Sequence, residues 1–261
     1  MNVIVTGVSG KIGGLITEFF LKKGYNVHSS SRNLDLVQRK KYNSLCTNKN
    51  HFFFNKIDLS NRKSLNRWFR IVKKRTKKIE FLINCAATSG EVESFKKTST
   101  SSWVKTFNIN FFSVVNLIKL FIPILNNKRS IVVNILGAGV GWKNNSKNKS
   151  QYFSSKFALA GFTEVLANEL IDDGIVVIGI FPGPVDSKIR NKLITNKLST
   201  KKNEDLSGKC VVRLFEEIIN CDYKTINGKL ISARFDDLKV LNKKNDSLFT
   251  LKRIDNKNYF F

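Results

Sequence analysis

Short apolar runs alternate along this chain with longer segments whose apolar residues recur every three or four positions. The first pattern fits strands buried on both faces, and the second fits amphipathic helices. Strands are expected at residues 2–6, 25–30, 52–57, 81–86, 131–136, 175–181 and 229–234. Helices are expected at 12–23, 61–76, 100–122, 151–172 and 206–219. Ile12, Leu15, Ile16, Phe19 and Phe20 mark the inner face of the first helix. Phe107, Phe111, Val114, Val115, Ile118 and Phe121 mark that of the third. Strands alternating with helices argue for an α/β fold, a parallel sheet with helices on both faces. No internal repeat or linker divides the chain, so residues 1–261 read as one domain. A polar, basic stretch covers 184–204, and 235–261 form a tail whose end, Tyr259-Phe-Phe261, is expected to pack on the domain or on a neighbouring subunit.

Composition narrows the class. A chain of 261 residues with 42% hydrophobic content can bury a full core. No apolar run reads as long enough to cross a bilayer. The start, Met1-Asn-Val-Ile-Val-Thr-Gly7, lacks the basic residues and long apolar stretch of a signal peptide. Cys46, Cys85, Cys210 and Cys221 have no C-x-x-C spacing, which fits reduced, buried thiols in a cytoplasmic protein. Two histidines, His28 and His51, are too few for a His-based metal site, so no metal is expected. A net charge of +25 would ordinarily point to a polyanion partner. Yet Lys outnumbers Arg about threefold, and the abundant Lys, Asn, Ile and Phe share A/T-rich codons. The charge is also scattered along the chain, so nucleic-acid binding is disfavoured.

Two motifs carry chemistry. The turn Thr6-Gly-Val-Ser-Gly-Lys-Ile-Gly13 joins the first strand to the first helix. Its glycines permit a tight turn and close approach of the backbone to a phosphate, with the helix N-terminus facing a pyrophosphate. In Tyr152-Phe-Ser-Ser-Lys156, Tyr152 and Lys156 stand one turn apart on one helix face. A phenol is normally too weak an acid to trade protons near neutrality, and a neighbouring ammonium lowers its pKa. The pair then reads as a general acid/base for a carbonyl or alcohol.

In this order and spacing the motifs resemble the short-chain dehydrogenase/reductase family over residues 1–234. The resemblance implies a Rossmann-type, doubly wound, mainly parallel sheet of seven strands with the site at the strands' C-terminal edge. It implies cofactor contacts at Gly7, Ser9, Gly10, Lys11, Ile12 and Gly13 in the turn. Asp58 and Leu59 resemble the pair that holds adenine, and Asn84 and Ala86 the Asn-Asn-Ala-Gly strand end beside the cofactor. Pro182, Gly183, Val185 and Ser187 resemble the segment that contacts nicotinamide. Tyr152, Lys156 and Asn110 match three members of a catalytic tetrad, with Asn110 holding a proton-relay water. Homodimers or homotetramers through the helices near 100–122 and 151–172 are implied likewise.

The residues add three points. Ser29-Ser-Ser-Arg32 has no acid where an NAD-preferring site binds the ribose 2′-OH, while Ser31 and Arg32 suit a 2′-phosphate, so NADP(H) is favoured over NAD(H). The fourth tetrad member, a Ser or Thr, is missing: the aligned position is Leu136 or Gly137. Ser146, Ser150 or a backbone nest over Gly137, Gly139 and Gly141 are candidate replacements. In the lid stretch, Lys188, Arg190, Lys192, Lys197, Lys201 and Lys202 either face an anionic substrate or reflect the general lysine excess. The expected function is an NADP(H)-dependent oxidoreductase interconverting a carbonyl and a secondary alcohol of a small molecule. The alternative is a cofactor-binding protein with weak or lost catalysis.

Overall fold

The computed structural model describes residues 1–47, 50–125, 129–137, 140, 147–195, 205–242, 248 and 250–251. Strands β1 (Asn2–Thr6), β2 (Asn26–Ser31), β3 (Phe52–Lys56), β4 (Phe81–Asn84), β5 (Ser130–Ile135), β6 (Ile175–Phe181) and β7 (Leu230–Ser232) form one sheet. Every pairing is parallel, and the order is β3-β2-β1-β4-β5-β6-β7. This is the parallel sheet expected from the alternation and the doubly wound, seven-stranded one that the family resemblance implies. The order reverses between β1 and β4, and that switch point opens a crevice at the strands' C-terminal ends.

The period of two along each strand divides the core into two layers. Val3 and Val5 of β1 join the layer under α1 (Lys11–Lys22) and α8 (Lys209–Asn220). Ile4 joins the layer under α3 (Arg62–Arg75), α5 (Ser113–Phe121) and α6 (Ser150–Leu170). Trp68 of α3 and Phe121 of α5, both fully buried, meet edge to face at 5.7 Å.

Three features differ from the sequence expectation. Helix α2 (Leu36–Ser44) lies where none was expected, because its apolar Leu36 and Val37 are exposed and only Tyr42 is buried. Its start is set by Asp35, whose carboxylate accepts the Gln38 N–H at 2.7 Å. The lid stretch contains a second unexpected helix, α7 (Lys188–Thr195). The long helix is α4 (Thr100–Phe107) joined to α5 by a π turn, Asn108–Phe112. The whole stretch Thr100–Ile124 is, by length and composition, apolar enough to cross a membrane, which corrects the expectation of no such run. Here it lies along the sheet and buries Val114, Leu117, Ile118 and Phe121. The tail's Tyr259–Phe261 lies outside the described residues.

Candidate active site

The crevice begins at the glycine turn after β1. Gly7 has φ +74°, and a β-carbon there would stand 2.8 Å from the Ala86 Cα. A β-carbon on Gly13 would stand 2.4 Å from the Gly7 carbonyl oxygen. Both contacts are with backbone, so neither position accepts a side chain without moving the turn. Thr6 fixes the facing strand end: its hydroxyl accepts the N–H groups of Cys85 and Ala86 at 2.9 and 3.1 Å. From α2, Tyr42 donates to the Val8 carbonyl at 3.2 Å and Gln38 to the Ser9 carbonyl at 3.4 Å. Gly10 begins α1 with no side-chain cap, leaving the first helical N–H groups directed at the crevice. Ser9, Gly10 and Lys11 are exposed at the rim, while Ile12 packs on the core. This cradle, closed to a β-carbon at Gly7 and Gly13 and open to an anion, fits the pyrophosphate of a dinucleotide.

Arg32 is exposed just beyond β2, and its charge is among those that lower the Asp58 pKa. The largest cause is the Ser60 hydroxyl, which donates to the Asp58 carboxylate at 2.7 Å. Asp58 therefore forms a local turn, and Asn61 is what caps α3, accepting the Ser64 N–H at 3.0 Å. Leu59 leans half-buried on the core, and the Ser31 hydroxyl donates to the Asn33 carbonyl at 2.6 Å. Asn84 turns its amide into the sheet, donating to Asn134 at 2.9 Å, and Asn134 donates to Thr163 of α6 at 2.9 Å. The Asn84 Oδ1 is buried without a hydrogen-bond partner among the described residues. Pro182 and Val185 are buried after β6, Gly183 turns at φ +71°, and the Ser187 hydroxyl accepts the Arg190 N–H at 3.2 Å, starting α7.

Asn110 lies inside the π turn and is fully buried. Its side chain accepts the Thr88 N–H at 2.8 Å and donates to the Thr88 carbonyl and the Ser155 hydroxyl, each at 2.9 Å. It therefore locks the loop after β4 to α6. A π turn trades a regular helical hydrogen bond for a repositioned side chain, and such turns recur at functional sites. Next to Ser155 on α6, Lys156 is buried and donates from Nζ to the Ile135 carbonyl at 2.6 Å.

Gly137 faces the phenol. A β-carbon there would stand 2.5 Å from the Tyr152 hydroxyl and 2.9 Å from ring Cε1 and Cζ. Leu136 instead points into the core against Gly179. The hydroxyl-less position beside Tyr152 is thus Gly137, and the phenol leans into the vacated space. The Ser150 Oγ and Gln151 Nε2, just upstream of Tyr152, are buried without a partner. Ser146, Gly139 and Gly141 lie outside the described residues.

The electrostatics differ from the expected lowering of the phenol pKa. Burial pushes Tyr152 up to about 12, with Cys85 adding to the rise. Burial brings Lys156 down to about 8, opposed by Cys85. The ammonium is turned to the Ile135 carbonyl, so desolvation outweighs the pairing expected from helical spacing. The Cys85 thiol, which influences both, is itself pushed up to about 12 by burial. Motif reading missed Cys85, Thr6 and Gln151; the only signal for Gln151 is its place immediately before Tyr152.

The chain matches the description "short chain dehydrogenase" over residues 1–198. It is 29% identical over 187 residues to a probable short-chain type dehydrogenase/reductase of Helicobacter pylori, covering 70% of this chain and 65% of that protein. It is 22% identical over 206 residues to an NADPH-dependent pterin aldehyde reductase of Arabidopsis thaliana, covering 78% and 83%. The solved structure of ElxO with NADP bound superposes with a TM-score of 0.72 at 22% identity, covering 89% of this chain and 96% of that one. With three-quarters of its length matched and the seven-stranded parallel sheet in place, the chain belongs to the short-chain dehydrogenase family.

Proposed function

We propose that the protein is an NADP(H)-dependent oxidoreductase that interconverts a carbonyl and a secondary alcohol. The observation that carries this is the convergence of Tyr152, Lys156 and Asn110 beside a turn whose Gly7 and Gly13 admit no side chain. The turn and the free N-terminus of α1 would hold the pyrophosphate, and Arg32 with Lys11 the 2′-phosphate. The absence of an acid at the end of β2 supports NADP(H) over NAD(H). The Arabidopsis relative is named for NADPH dependence, which agrees. NADPH, when bound, supplies the hydride.

The residues of the chain handle the proton. Tyr152, with its pKa held near 12, keeps its proton at neutral pH and donates it to the carbonyl oxygen as the alcohol forms. Lys156, still largely cationic below its pKa of about 8, stabilises the phenolate left behind; it then passes a proton to the phenolate and takes one back through the relay that Asn110 anchors. A small-molecule substrate, a cytoplasmic location and a homodimer or homotetramer go with the reading. The test is NADPH oxidation across a panel of aldehydes and ketones, compared with Tyr152→Phe. Turnover by the native chain that collapses in the variant supports the reading. Tight NADPH binding with no turnover points instead to a cofactor-binding protein with lost catalysis, for which Gly137 is the supporting observation.

A further inference from the structure

On α6, Tyr152 and Lys156 form one stripe, and Gln151 and Ser155, also a turn apart, form the stripe beside it. The second stripe is held from three directions. The Gln151 Oε1 accepts the hydroxyls of Ser102 and Thr106 of α4 and the N–H of Glu91, each at 3.1 Å. The Ser155 hydroxyl accepts from the Asn110 amide of the π turn at 2.9 Å and donates to the Tyr152 carbonyl at 2.7 Å. Glu91 closes a ring: its carboxylate accepts the N–H of Ser99, the residue that caps α4, at 3.1 Å. Gly90 rests on the glutamine, since a β-carbon there would stand 2.3 Å from Oε1. Gln151 is fully buried, and its Nε2 has no partner among the described residues, so the oxygen alone carries the contacts. Tyr152 itself stands in the first turn of α6, which starts with no side-chain cap among the described residues. Helix ends of that kind fray unless packing holds them.

We propose that Gln151 is a positioning residue that holds the Tyr152 phenol in place by latching the first turn of α6 to α4 and to the loop after β4. The inference rests on the oxidoreductase reading above. With the latch closed, three hydrogen bonds on the neighbouring stripe set the angle at which the phenol meets a carbonyl oxygen. The acceptor does the holding, so a carboxylate at the same position can replace the amide. The three donors that satisfy Oε1 also favour the charged form of a carboxylate. An apolar side chain of similar length cannot serve. It leaves the buried Thr106 hydroxyl without this acceptor and releases the Glu91 N–H from α6.

The experiment uses the full chain and NADPH with the aldehyde of the panel that the native chain reduces fastest. Gln151→Met should lower kcat by about tenfold or more, with KM for NADPH unchanged. Gln151→Glu should restore it. In the Tyr152→Phe background, Gln151→Met should cost nothing further, because the residue acts through the phenol. A second readout needs no turnover. It is carbon-13 NMR of ring-labelled tyrosine in the NADPH-loaded chain, with the Tyr152 signal identified by its loss in Tyr152→Phe. That signal should move in Gln151→Met and return in Gln151→Glu. This pattern in a native chain without turnover upholds the positioning role while the oxidoreductase reading fails. If Gln151→Met does not fold, Ser102→Ala replaces it, removing one of the three donors from a half-buried position. It should then show the same changes at smaller size. A kcat and a Tyr152 signal unchanged in the variant that folds overturn the proposal. So does a loss in Gln151→Met that multiplies in full with that of Tyr152→Phe, or a Gln151→Glu variant as impaired as Gln151→Met.

Discussion

At the scale of single residues, Gly137 decides how the site is read. Losing one donor that stabilises developing charge typically costs about a hundred- to a thousandfold in rate. Here the Tyr152 hydroxyl occupies the space instead, too close to Gly137 for any β-carbon. Gly137→Ala adds no donor and pushes the phenol off its position. A displacement of about 1 Å costs on the order of a hundredfold in rate. The expected outcome is a kcat for NADPH-dependent carbonyl reduction reduced by roughly that factor, with NADPH affinity retained. A fully active Gly137→Ala variant would mean that the phenol does not depend on this glycine. The sequence narrowed the vacant position to two residues but could not choose between them. That choice depends on which side chain the strand's final twist turns into the core, and Leu136 takes that place.

At the scale of elements, β1, β4, β5 and β6 were legible because they are largely buried on both faces and written mainly in apolar residues. The helices missed were those whose burial is slight: α2 inserts only Tyr42, and α7 is mostly polar. The Asp35 cap was the readable trace of α2. The π turn was foreshadowed by an asparagine inside a helix, but the double clamp on Thr88 depends on a loop distant in sequence. Strand β2 carries a consequence of its own. His28 sits 1% exposed on the α3 side, stacked on Phe53 at 4.9 Å, and burial then Arg75 push its pKa down to about 4. Between that value and the ordinary 6.5 the unfolded chain takes up a proton that the folded chain refuses. Stability therefore falls as pH drops through that window, by about 2 kcal/mol at pH 5. Urea unfolding at pH 7.5 and pH 5 should show a smaller loss for His28→Gln than for the native chain. Equal losses would show that His28 is not the group responsible.

At the scale of the whole molecule, two surfaces stand out. The charge of +25 is scattered along the sequence. The outer faces of α4–α5 and α6, by contrast, expose Val104, Phe112, Phe157 and Val165, each at least 43% accessible. These are the helices through which the family resemblance implies assembly. Sedimentation is expected to give a dimer or tetramer at micromolar concentration, shifting towards monomer in a Phe112→Lys, Val165→Lys double variant. A native monomer would contradict it. The account's central claim is that Tyr152 protonates a carbonyl oxygen in this chain despite the glycine beside it. The most direct measurement is transfer of label from NADPH deuterated at the reactive carbon to a carbonyl substrate, followed by mass spectrometry in single turnover. The account predicts deuterium at the carbinol carbon with the native chain, and transfer slowed by about a hundredfold or more in Tyr152→Phe with NADPH binding intact. Label transfer at equal rates in both proteins, or none in a native chain saturated with NADPH, would contradict it.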